Sequence, residues 1–267
     1  MKRIFLTGAS SGIGRAAAEA LVTAGHQVWG TSRDIARLPA RERFTPVALD
    51  LASADSIAAA FRDAERDANG FDVLVNNAGS GQFGPAEFLS REQLLQEFQV
   101  LVFGQLQLMQ LALPAMRERR SGLIINVSSL ASRLPLPFMS SYSAAKAALA
   151  LFTMSMNLEL RTAGVRFVDL QPADIRTSFN DAVTRLEADV PEYRAALENT
   201  WRVADHNMQT APGPELIARH IVRLVQIDNP PPRVTLGGAF QAKIAPFLLR
   251  FLPVRTQLWG LKKYYGI

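Results

Sequence analysis

The chain contains no cysteine, which excludes disulfides, thiolate nucleophiles and cysteine-ligated metal together. Histidine is scarce as well. His26, His206 and His220 lie far apart and in no ligand spacing, so the sequence predicts no metal site. No apolar run reaches the ~18 uncharged residues of a membrane-spanning helix. The opening MKRIFLTGAS reaches Thr7-Gly8 before its apolar run attains the roughly 7–15 residues of a signal peptide. It reads as a first strand, and the cytoplasm is the expected location. Dense basic arms are also missing. Lys and Arg number 29 against 24 Asp and Glu, a formal net charge of +5, yet they read as scattered. The densest group, Arg117, Arg119 and Arg120, falls at an expected helix end, where cations complement the helix dipole. No nucleic-acid partner is expected.

What remains is the composition of a globular protein, 48% hydrophobic and 20% charged over 267 residues, the size of one α/β domain. Short Val/Ile/Leu runs at 3–7, 27–31, 46–49, 72–75, 123–127, 165–170 and 233–236 read as strands buried on both faces. Ala-rich stretches at 12–24, 54–67, 93–119, 141–163 and 214–228 read as helices. Their alternation predicts an α/β fold, a doubly wound parallel sheet of about seven strands with helices on both faces. Ligands of such sheets lie at the carboxyl ends of the strands. Ser53 fits an N-cap, Ser90-x-x-Gln93 a capping box, and Pro214 a first helical turn. The segment 178–212 is too long for a plain connection and reads as a lid without a clear strand. One domain, 1–239, thus carries the lid, and an apolar and basic tail follows at 240–267.

Thr7 to Gly14 reads TGASSGIG, at the end of the first strand and the start of the first helix. Gly8 permits the turn, Gly12 lets backbone approach a pyrophosphate, and Gly14 brings helix and sheet together. With Ser10, Ser11 and Ile13 these residues form a phosphate cradle at a helix N-terminus. The second strand ends in Ser32-Arg33. A carboxylate there would bind an adenosine 2′-hydroxyl, whereas arginine accommodates a 2′-phosphate. Arg33 therefore favours NADP(H) over NAD(H), unless it pairs with Asp34. Arg37 reads as a helix-surface residue, and Asp50 and Leu51 as a border for the adenine.

Ser129 precedes Tyr142 by thirteen residues, and Lys146 follows Tyr142 by four. On a helix Tyr142 and Lys146 share one face. A tyrosine hydroxyl can protonate a nascent alkoxide, and a nearby ammonium favours its phenolate. Ser129 can donate to the same oxygen. These residues, with TGASSGIG and Asn76-Asn77-Ala78-Gly79, resemble the short-chain dehydrogenase/reductase family. The resemblance covers residues 3 to about 238, in the compact branch that includes carbonyl reductases and hydroxysteroid or retinol dehydrogenases.

The resemblance implies a Rossmann-like fold and an oxidoreductase that moves a hydride between NADP(H) and a ketone or secondary alcohol. It implies catalysis by Ser129, Tyr142 and Lys146, with Tyr142 and Lys146 also touching the cofactor. It places Asn77, Ala78 and Gly79 by the adenine ribose, and Pro172, Ile175 and Thr177 by the nicotinamide carboxamide. It further implies a homodimer or homotetramer paired through the helices at 93–119 and 141–163. Two positions depart from it. Leu101 stands where an asparagine usually helps hold a relay water, with Gln105 one turn onward. Ala173 follows Pro172 in place of glycine, a strained choice only if φ is positive.

Phe83, Pro135, Leu136, Phe138 and Met139, with Phe179, Val183 and Trp201 of the lid, read either as the wall of a hydrophobic substrate pocket or as core. In the tail, Phe247, Leu248, Leu249, Phe251, Leu252 and Trp259 with Arg250, Lys262 and Lys263 read as a pocket cover or subunit contact, ahead of a membrane-surface contact. An alternative to the enzyme is a catalytically impaired NADP(H)-binding sensor, for which Leu101 is the argument.

Overall fold

The computed structural model describes residues 1–186 and 190–267, with all their side chains except those of Lys243 and Leu249. Positions 187–189 of the expected lid and the side chain of Leu249 lie outside the described residues. In chain order the strands are β1 (Arg3–Leu6), β2 (Gln27–Ser32), β3 (Phe44–Ala48), β4 (Val73–Asn76), β5 (Gly81–Phe83), β6 (Gly122–Val127), β7 (Val165–Pro172), β8 (Val183–Arg185) and β9 (Arg233–Leu236). Seven of them form one parallel sheet ordered β3-β2-β1-β4-β6-β7-β9. The order reverses between β1 and β4, and there the carboxyl ends of the strands open a crevice.

The helices are α1 (Gly12–Thr23), α2 (Ala54–Ala68), α3 (Arg91–Phe98), α4 (Gly104–Glu118), α5 (Ser140–Glu159), α6 (Pro191–Thr210), α7 (Glu215–Gln226), α8 (Ala245–Phe251) and α9 (Val254–Tyr265). One core lies under α1 and α7, built on Ile4, Leu6, Val75 and Ile125. The other lies under α2, α4 and α5, where Phe5, Phe61 and Phe71 meet edge to face or tilted. Burying each such ring contributes roughly 1.5–3 kcal/mol. Local chemistry sets the helix starts. Ser53 Oγ accepts from Ser56 N at 3.2 Å. Ser90 and Gln93 exchange both bonds of a capping box, at 3.1 and 2.9 Å.

Three expectations are corrected. The helix read at 93–119 starts earlier and is not continuous, because a π-turn at Gln99–Phe103 separates α3 from α4. The extra residue in that turn buries Leu101 and Val102 together. The stretch Arg91–Glu118 has the length and composition of a membrane span, contrary to the sequence reading, but its buried side chains pack in the core of the domain. The lid is also more regular than expected. It holds β8, which pairs in parallel with β5, and the long helix α6.

A polar clamp crosses the middle of the sheet. Asn76 Nδ2 donates to Asn126 Oδ1 at 2.8 Å, and Asn126 Nδ2 donates to Thr153 Oγ1 on α5 at 2.8 Å. All three residues are buried. The clamp joins β4, β6 and α5.

Candidate active site

A cavity of about 990 Å³ occupies the crevice at the strand ends. Every cofactor-binding candidate lines it: Gly8, Ser10 to Gly14, Arg33, Asp50, Leu51, Asn77 to Gly79, Tyr142, Lys146, Pro172, Ile175 and Thr177. At its floor, Gly8 has φ +71 and a Cβ there would meet Ala78 Cα at 2.9 Å. A Cβ on Gly14 would lie 2.0 Å from the Gly8 carbonyl oxygen. Only glycine fits either place. Ser11 caps α1 without a side-chain hydrogen bond, so the first amides of α1 are not covered by their own cap. Asn77 Nδ2 donates to the Thr7 carbonyl at 2.9 Å and thereby ties the β4 loop to the cradle.

The far end of the cavity carries Arg33 and Arg37 beside Asp34 and Asp50. Arg33 is exposed and makes no ion pair with Asp34, whose carboxylate instead accepts from Ala36 N at 3.0 Å. Arg37, read from the sequence as a surface residue ahead of a helper to Arg33, is exposed and lines the cavity beside it. A nicotinamide dinucleotide fits this donor set: free helix-terminal amides for the pyrophosphate and unpaired guanidinium for a further phosphate.

At the other end stands the reactive set. Ser129 stands beside Tyr142 and pulls its hydroxyl down, and its own hydroxyl accepts from Ala131 N at 3.1 Å. Lys146 lies one turn on from Tyr142 along α5, and its ammonium donates to the Val127 carbonyl at 2.8 Å. Burial pushes the Tyr142 hydroxyl up to about 12; Ser129 pulls it back, while Glu97 and Asp174 push it further. Burial pushes Lys146 down to about 8, and the negative charges of Asp169 and Glu97 oppose that shift. Burial is the largest influence on Tyr142, whose hydroxyl is protonated at neutral pH. Ser128, the neighbour of Ser129, is buried and donates to the Asp169 carboxylate.

The two departures resolve differently. Ala173 has ordinary φ and its N–H donates to the Leu236 carbonyl at 2.7 Å, so the missing glycine costs nothing. Leu101 packs in a cluster with Tyr142 and Ala145, close to Gly79, and brings no polar atom to Lys146. Gln105 does not replace it. Its amide is buried and donates to the Ala78 carbonyl at 2.9 Å.

Of the substrate candidates, Phe83, Ser129 and Phe179 line the cavity, with Leu136 and Met139. Pro135 and Phe138 do not. Phe138 has φ +61, which turns its ring away to pack on Phe83 and Tyr193. Val183 and Trp201 are likewise outside the lining. Trp201 packs on Phe83 at 4.9 Å and supports the wall from behind.

Two acids were missed from sequence. Glu97 is buried on α3 and lines the cavity, its Oε1 accepting from Gln82 N at 3.1 Å. Burial raises it, while the Ser141 hydroxyl, the Gln82 N–H and the Lys146 charge lower it. Its place one turn before Leu101 was the available signal. Asp174 follows β7 and is raised by burial against hydrogen bonds from Gln241 and Asn207. Through those two residues the lid helix α6 and the tail close the cavity, whose wall includes Leu248, Leu252 and Leu261.

A family profile described as short chain dehydrogenase matches residues 2–188. The chain belongs to the short-chain dehydrogenase family. The 3-ketodihydrosphingosine reductase of Bacteroides thetaiotaomicron is 29% identical over 99% of this chain and 98% of its own. A short-chain dehydrogenase from Streptomyces avermitilis has the same fold at a TM-score of 0.84, with 32% identity over 98% of this chain and 96% of that one. A metagenomic short-chain oxidoreductase in complex with NADP aligns at a TM-score of 0.71, with 29% identity over 88% of this chain and 96% of its own. The chain is an oxidoreductase of this family, and the likeness to the NADP-complexed relative supports a nicotinamide cofactor.

Proposed function

We propose that this oxidoreductase reduces a ketone on a hydrophobic substrate, or oxidises the matching secondary alcohol, with NADP(H) preferred to NAD(H). The observation that carries the reading is that Ser129, Tyr142 and Lys146 line one end of the cavity that opens on Arg33 at the other. The dinucleotide supplies and accepts the hydride. Ser129 holds the substrate oxygen, Tyr142 gives that oxygen its proton, and Lys146 binds the cofactor ribose and steadies the phenolate left behind. Arg33 and Arg37 take the 2′-phosphate. Phe83, Phe179, Leu136 and Met139 form an apolar wall for the substrate body. The same reading carries a cytoplasmic enzyme, a homo-oligomer, and a catalytic unit of residues 1–239 closed by the tail 240–267.

The experiment is to follow nicotinamide absorbance with a panel of apolar ketones, among them 3-ketodihydrosphingosine, using NADPH and NADH in parallel. NADPH-dependent turnover supports the reading. Equal rates with NADH overturn the cofactor preference. Leu101 favours a second reading, a cofactor-binding sensor with impaired turnover. Tight NADPH binding by a folded preparation without turnover on any ketone would favour it.

A further inference from the structure

The tail has two faces. Inward, Leu248, Leu252, Leu261 and Tyr265 contribute to the cavity wall. Outward, Phe247 is 64% exposed, Phe251 66%, Val254 67% and Trp259 62%, joined by Ile244 and Leu258. An uncovered apolar surface of this kind marks an interaction site. Its flanking charge is equally one-sided. From Phe240 to Ile267 the sequence has five Lys and Arg and no Asp or Glu, which equals the +5 net charge of the whole chain, so residues 1–239 are formally neutral. Taken together, the basic residues of 1–239 are matched in number by acids, and those of the tail are not. Arg250, Arg255, Lys262 and Lys263 are exposed, and among the described residues none has an ion pair.

We propose that the outer face of α8 and α9 docks the protein on an anionic lipid surface. The aromatic and aliphatic side chains enter the headgroup boundary, and the four cations meet anionic headgroups around them. Trp259 has the amphipathic ring that settles at such a boundary. A second copy of the chain is the poorer occupant, because an isologous contact would set two unbalanced positive faces against each other. Docking does not depend on the redox reading. Together with it, docking sets the cavity wall formed by the inner face of the same helices against the lipid, a short route for an apolar substrate.

The test uses the full chain without cofactor or substrate, sedimented with phosphatidylcholine vesicles that contain or lack phosphatidylglycerol. Co-sedimentation with the anionic vesicles that declines as salt is raised is expected. Lys262→Glu/Lys263→Glu should weaken it about tenfold or more. Phe247→Ser/Phe251→Ser should abolish it and leave turnover of a water-soluble ketone unchanged, since neither ring is in the cavity. Absence of sedimentation with anionic vesicles at low salt overturns the proposal, as does sedimentation indifferent to both variants. A loss of oligomer mass in the Phe247→Ser/Phe251→Ser variant, without any vesicle binding by the parent, would overturn it in favour of a second copy. None of these readouts involves hydride transfer, so they fail independently of the proposed function.

Discussion

The ammonium of Lys146 lies 5.8 Å from the centre of the Tyr142 ring, and the hydrogen bond it makes is to the Val127 carbonyl. The two groups are neighbours on α5 and not a hydrogen-bonded pair. Tyr142 is a neutral acid beside Ser129. Tyr142→Phe is expected to lower kcat by about 10²–10⁴-fold. NADPH affinity, read by fluorescence titration, should change little. A variant that keeps more than a tenth of the parent rate would remove Tyr142 from the proton step.

Glu97 pushes the Tyr142 hydroxyl up and opposes the downward shift of Lys146. Removing its charge in Glu97→Gln therefore lowers both. Ketone reduction needs protonated Tyr142 and is helped by charged Lys146. The alkaline limb of the pH profile for reduction should thus move to lower pH, with the acid side unchanged. A superimposable profile would show that Glu97 is too well screened to matter.

Lys146 falls from an ordinary 10.5 to about 8 in the fold. Below the lower value both folded and unfolded chains carry the charge, and its burial disfavours the fold in full. Above the higher value neither carries it, and the penalty vanishes. Lys146→Met is predicted to be inactive yet more stable by roughly 1–3 kcal/mol at pH 7. Urea unfolding should show that advantage shrinking as pH rises from 8 to 10.5. Equal stability at all pH values would mean that the hydrogen bond to Val127 offsets burial.

Arg33 faces the cavity, and among the described residues it has no ion pair. Arg33→Ser should weaken NADPH binding about 10–100-fold, the loss of one charge-assisted contact. NADH binding should be untouched. Parallel losses for both dinucleotides would mean that Arg33 is not on the 2′-phosphate.

Leu101→Asn returns a polar group beside Lys146. If proton resupply limits turnover, kcat should rise severalfold. A buried amide without full pairing destabilises by about 1–3 kcal/mol, so a drop in urea midpoint is expected alongside. Turnover and pH profile both unchanged would show that resupply takes a route independent of position 101.

Much of this site was legible because its residues sit in local patterns. The cradle reads from glycines whose positions demand missing side chains, and Tyr142 and Lys146 from helical spacing. The parallel strands read from uninterrupted apolar runs. Other features depend on long-range contact. Glu97 and Asp174 gain meaning only from the elements packed over them. Pro135 and Phe138 looked like pocket wall, but the left-handed backbone at Phe138 turns that ring aside. The lid helix α6 was obscured by its mixed composition. The π-turn at Gln99–Phe103 leads into Gly104, where a Cβ would press on the Leu51 carbonyl at 2.8 Å, a contact that no local pattern announces.

The clamp of Asn76, Asn126 and Thr153 fixes α5 in phase with the sheet. Apolar side chains slide past one another at small cost, but these amides and this hydroxyl have one mutual fit. Sliding α5 by one residue would break the Asn126–Thr153 bond and leave the buried Asn126 amide without that partner, at a cost of about 1–3 kcal/mol. The clamp works like an indexing pin. Greasy substitutions elsewhere in the core can be absorbed by repacking while Tyr142 keeps its bearing on Ser129. The reaction geometry is thereby insulated from drift in the hydrophobic interior, and rate should track the clamp more closely than overall stability.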